Sequence, residues 1–101
     1  MNRAWLTERE LKLIGDIFGR HPEVAGAILF GSRAKGTHTP RSDVDLALTG
    51  TITPLGAEAI AAELDELPIP YRFEVQPLES IRHLPLRDHI ERVGVWIYRA
   101  A

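Results

Sequence analysis

The run Phe30-Gly31-Ser32-Arg33-Ala34-Lys35-Gly36-Thr37-His38-Thr39-Pro40-Arg41-Ser42-Asp43-Val44-Asp45-Leu46 constrains this chain more than any other. An apolar stretch, Val24 to Phe30, runs into a Gly-Ser turn. Ten residues separate Ser32 from Asp43, and Asp43 and Asp45 then open a second apolar stretch, Asp43 to Thr49, closed by Gly50. Both stretches read as strands bounded by turn residues. Alternate residues of a strand share a face and stand about 6.5–7 Å apart along the chain. Asp43 and Asp45 therefore project together, while Val44, Leu46 and Leu48 turn to the core.

The rest of the chain supplies elements to pack on those strands. Thr7 to Gly19 is expected to be a helix: Thr7 and Glu10 have capping-box spacing, and Leu11, Ile14, Ile17 and Phe18 make one apolar face. His21-Pro22-Glu23 breaks it. Gly31 to Gly36 is a turn with room for one helical turn, and Thr37 to Arg41 is a polar loop. Pro54 to Leu67 reads as a second helix, with Pro54 in its first turn and Ile60, Leu64 and Leu67 on one side. Tyr71 to Gln76 alternates as a strand, with Phe73 and Val75 facing one way and Arg72, Glu74 and Gln76 the other. Leu86 to Arg92 is a last helix ended by Gly94, and Val95 to Tyr98 is an apolar tail of strand character. The order of elements gives the class α/β (α+β): a small mixed sheet backed by helices.

A chain of 101 residues suits one domain, expected to span residues 1–101. The charge balance is mildly acidic, −2, which offers nucleic acid no general attraction. No apolar run approaches the length of a membrane span. The N-terminus, Met1-Asn2-Arg3-Ala4-Trp5, lacks the apolar core of a leader, and cysteine is absent, so a cytoplasmic setting is expected and thiolate metal sites are excluded.

The chemistry follows from residue types. Paired carboxylates suit hard divalent cations, which take oxygen ligands. Two such ions lie roughly 3.5–4 Å apart in phosphoryl-transfer sites, and one carboxylate can bridge them. A pair is one ligand short, and Glu74 is the candidate third. If its strand lies beside that of Asp43 and Asp45, three carboxylates converge, and one of them can deprotonate an acceptor hydroxyl. Gly31 lets a phosphate approach the backbone, the following N–H groups favour anions, and the Ser32 hydroxyl can bond a phosphate oxygen. Arg33, Lys35 and Arg41 place positive charge nearby, either for phosphate or as solvated loop charges. Ser42 either contacts phosphate or fixes the loop. His38 and His83 read as surface residues, His89 as structural, and Trp5 and Trp96 as core edge or interface.

With Gly31-Ser32 and Asp43-Val44-Asp45 at this spacing, the chain resembles the DNA polymerase beta-like nucleotidyltransferase superfamily, and its shortness is similar to the minimal nucleotidyltransferase (MNT) branch. The tail from Leu86 to Tyr98 is also similar to the ending of those proteins. The resemblance implies magnesium-dependent transfer of a nucleoside monophosphate from a nucleoside triphosphate to a hydroxyl. It assigns Gly31 and Ser32 to the triphosphate, and the charge of Arg33 and the position of Ser42 add these two to the expected nucleotide-binding set. It assigns Asp43, Asp45 and Glu74 to catalysis and to a two-metal magnesium site. The third carboxylate of the family is commonly aspartate, whereas Glu74 is one methylene longer. Members of the branch pair with a HEPN-domain toxin and silence it by placing AMP, from ATP, on a tyrosine. With no further domain to hold an acceptor, the acceptor is expected in trans, in a homo- or hetero-oligomer. Two other readings stand beside this one: an antitoxin that neutralises its partner by occlusion, and transfer to a small molecule or RNA.

Overall fold

The computed structural model describes residues 5–100; the Met1–Ala4 stretch lies outside the described residues. Helix α1 (Glu8–Gly19) starts on the expected capping box: Thr7 Oγ1 accepts from the Glu10 N–H at 3.1 Å, and Glu10 Oε1 accepts from the Thr7 N–H at 2.9 Å. Strand β1 (Val24–Phe30) ends at the turn, and a single helical turn, α2 (Ser32–Lys35), follows it. Strand β2 (Val44–Gly50) leads through Thr53, which caps Gly56, into α3 (Pro54–Asp65). That helix stops two residues before the expected Leu67.

Asp65 at the end of α3 accepts the Phe73 N–H at 3.0 Å, which fixes where the next strand begins. Strand β3 (Phe73–Pro77) therefore starts two residues later than the alternation predicts. A 3-10 turn, Leu78–Ser80, leads to α4 (Leu84–Val93), and the apolar tail forms a fourth strand, β4 (Val95–Arg99).

The sheet order is β3-β2-β1-β4, with β1 antiparallel to both β2 and β4, and β2 parallel to β3. The parallel pair is possible because α3 provides the crossover. One face carries Ala27, Leu29, Val44, Leu46, Leu48 and Phe73 against Ile14, Ile17 and Phe18 of α1 and Ile60 and Leu64 of α3. Ile28, Phe30 and Ala47 belong to a second, smaller apolar cluster with Ile81 and with Ile90 of α4. Helices thus cover both faces, and β2 is buried on both sides along its middle. Its first residues lie beyond the second cluster, and there the acidic residues stand.

Candidate active site

The antiparallel register pairs Phe30 with Asp45, so β1 delivers its terminal turn beside the first carboxylate within β2. Gly31 takes φ +77 and ψ −156. A side chain is strained at that φ, and a Cβ at this position would collide with Asp45 Oδ2. Glycine is required here for both reasons, and its lack of a side chain is what allows the turn and the carboxylate to touch. The α2 turn that follows has no side-chain cap among the described residues. Gly36 closes it in the left-handed conformation, φ +79, with its N–H on the Ser32 carbonyl.

The parallel register pairs Asp45 with Glu74. The strand of Glu74 thus lies beside that of Asp45, with the two residues in register. Burial, then the charge of Glu74, then that of Asp43 push the Asp45 carboxyl up to about 6. Asp43 precedes β2 and is half-buried; Glu74 is exposed on an edge strand. The expected convergence of three ligands is incomplete in one respect. Among the described residues, no three His, Asp or Glu side chains are gathered closely enough to hold an ion as they stand. Like charges repel, and Glu74, long and at the rim, extends to water. The donor set nonetheless fits a hard divalent cation, because a cation among these oxygens relieves the repulsion felt at Asp45.

The two residues flanking this core serve the frame. Arg33 is the largest fully buried side chain, 1% exposed. Its guanidinium donates from Nε and Nη2 to the Ser42 carbonyl, at 3.3 and 3.2 Å, and lies over the Tyr71 ring at 4.0 Å. This corrects its place among the residues expected to grip the nucleotide: a guanidinium closed off from solvent is not open to phosphate. It ties α2 to the residue before Asp43 instead. Ser42 Oγ accepts the Thr39 N–H at 2.9 Å, which closes the polar loop. Of the two alternatives for Ser42, the observed bond is the loop-fixing one. Lys35 and Arg41 are exposed.

One residue read as merely structural meets the turn directly. His89 of α4 accepts the Gly31 N–H at Nε2, at 2.9 Å, with its ring edge-on to Phe30. The contact spans 58 positions of sequence, and no local pattern announces it. His38 lies half-buried against Trp5, His83 is exposed, and Trp96 is 44% exposed beneath Arg99.

Residues 12–101 match the family model described as polymerase beta, nucleotidyltransferase. The chain belongs to this family. Among solved structures, this nucleotidyltransferase chain resembles a chain of a toxin–antitoxin complex crystallised with AMP-PNP. The TM-score is 0.73 at 20% identity, over 94% of this chain and 75% of that one. It also resembles a chain of the complex between a tri-AMPylated Shewanella oneidensis HEPN toxin and its MNT antitoxin. There the TM-score is 0.70 at 15% identity, over 94% and 74%. A chain of an MntA–HepT toxin–antitoxin structure gives a TM-score of 0.70 at 15% identity, over 93% and 74%. At such identities the likeness is one of fold. No curated protein matches the sequence. No helix among the described residues is long and apolar enough to cross a membrane.

Proposed function

We propose that this nucleotidyltransferase transfers AMP from ATP, with magnesium, to a tyrosine hydroxyl of a HEPN-domain partner, and so acts in the cytoplasm as the antitoxin of a toxin–antitoxin pair. The observation that carries the reading is the fit of Gly31 beneath the Asp45 carboxylate. It brings the turn expected to grip phosphate against the strand expected to grip metal, which supports a single shared site. The fold likeness to toxin–antitoxin complexes, one crystallised with AMP-PNP and one holding an AMPylated toxin, supports the choice of nucleotide and partner.

In this reading the 101 residues work as one catalytic domain with the acceptor supplied in trans, within a hetero-oligomer. Gly31, lacking a side chain, lets the triphosphate approach the turn, and Ser32 holds it at the uncapped start of α2. Arg33 and Ser42 hold the loop that presents Asp43. Asp43, Asp45 and Glu74 are the residues that would hold magnesium, which when bound supplies charge neutralisation at the phosphates. Glu74, at the solvent rim, takes the proton of the incoming tyrosine hydroxyl. The phenolic oxygen forms a bond to the α-phosphorus as the bond to the β-phosphate oxygen breaks, and pyrophosphate leaves. Positioning supplies much of the rate.

Labelled ATP tests this directly. Asp43→Asn or Asp45→Asn is expected to abolish transfer to the partner while leaving the fold intact, and full transfer by either folded variant overturns the assignment. The exposed, longer Glu74 favours one second reading, an antitoxin that binds its partner and occludes it without modifying it.

A further inference from the structure

We propose that His89 is a positioning residue of the nucleotide turn, holding the Phe30–Gly31 peptide in the orientation that triphosphate binding requires; the proposal rests on the reading of Gly31-Ser32 as the triphosphate turn. The β1–β2 register ends at Phe30 paired with Asp45, one residue short of Gly31. Backbone donors withdrawn from water need a partner, and the Gly31 N–H finds it in His89 Nε2 at 2.9 Å. A neutral imidazole accepts at one nitrogen and donates at the other. Acceptance at Nε2 therefore places the ring proton on Nδ1, the less common tautomer of free histidine in water.

Two anchors hold the helix that carries this ring. Arg87 Nη1 donates to the Leu78 and Ile81 carbonyls at 2.8 and 2.9 Å, which fastens α4 to the segment after β3. The Phe30 ring meets the imidazole edge-on, with centroids 6.3 Å apart. The ring is thus set by α4 and by β1 together. With its own N–H engaged by His89, Gly31 is not a free donor to phosphate; that task passes to the amides that follow it. Fixing the Phe30–Gly31 peptide holds the start of α2 in place and keeps Gly31 beneath Asp45. Loss of the acceptor leaves an unpaired N–H and a turn released to rotate, so the effect falls on nucleotide binding more than on turnover at saturation.

Two measurements on the full chain test this. Long-range ¹H–¹⁵N NMR of the nucleotide-free protein reads the His89 tautomer, and calorimetry reads AMP-PNP binding in the presence of magnesium. The expected results are an Nδ1–H ring and a protected Gly31 amide. His89→Leu is expected to weaken AMP-PNP binding by about tenfold, the worth of one hydrogen bond. His89→Gln, whose side-chain oxygen can take the Nε2 position, is expected to restore most of it. An Nε2–H tautomer, or a folded His89→Leu variant that binds AMP-PNP as the wild type does, overturns the role of His89. Failure of the wild-type chain to bind AMP-PNP overturns the nucleotide reading itself and this role with it, an outcome the tautomer measurement keeps distinct.

Discussion

Asp45 and Glu74 are registered partners across the parallel β2–β3 pair, and the Asp45 carboxyl is raised first by burial and then by the charge of Glu74. Two acids that stand side by side, one half-buried, store repulsion in the nucleotide-free protein. That cost falls at the strand end, where a divalent cation among these oxygens would relieve it.

The stored repulsion sets a pH dependence. The Asp45 carboxyl keeps its proton to about 6 in the folded chain, against 3.8 for an unperturbed group. Between those values the folded state binds more protons than the unfolded state, so stability falls as pH rises through the window. Denaturation of the metal-free protein across this range should show that decline. Asp45→Asn should flatten it and raise stability at neutral pH by about 1 kcal/mol, a figure reduced for the partial solvent exposure of the group.

Gly31→Ala should cost about 1–3 kcal/mol in chemical denaturation, because it adds strain at a positive φ and a clash with Asp45. The surviving folded fraction should bind AMP-PNP poorly. A stable variant with unchanged binding would show that the turn and the carboxylate do not share a site.

Arg33→Lys should destabilise by about 2–3 kcal/mol, since an ammonium cannot reproduce the fork on the Ser42 carbonyl or the stack on Tyr71. Tyr71→Leu should lose about 1 kcal/mol of this through the cation–π contact alone. Thermal and denaturant midpoints of the pair and the double variant read the coupling.

Glu74→Gln should lower the transfer rate by about a hundredfold or more if the carboxylate takes the acceptor proton. Glu74→Asp, which restores the length common in the family, should retain activity. Equal loss in both variants would point to a packing defect, and no loss in either would remove Glu74 from the chemistry.

Much of the fold was legible from local pattern. The apolar run Val24–Phe30 coincides with β1, the Thr7–Glu10 box starts α1, and the alternation around Phe73 and Val75 sets the inward face of β3. The sequence left open whether the strand of Glu74 lies beside that of Asp45; the parallel register of β2 and β3 places it there. What was not legible depends on partners far along the chain. Arg33 sits in a Gly-Ser-Arg-Ala-Lys-Gly segment that reads as facing either phosphate or solvent; it is buried against Tyr71 instead, and no period exists in a four-residue helix to reveal an inward face. His89 lies next to Ile90 on a helix whose apolar spacing explains it without reference to the turn, and only the packing of α4 against β1 brings it to Gly31. Strand β3 began late because Asp65 fixed its first amide, a tertiary bond that alternation does not encode.

The most direct measurement is the intact mass of the HEPN partner after incubation with ATP, magnesium and this nucleotidyltransferase, set against the Asp45→Asn variant. The account predicts whole AMP additions to the partner with the wild-type chain and none with Asp45→Asn. A partner that is inhibited yet keeps its unmodified mass with the wild-type chain would contradict it.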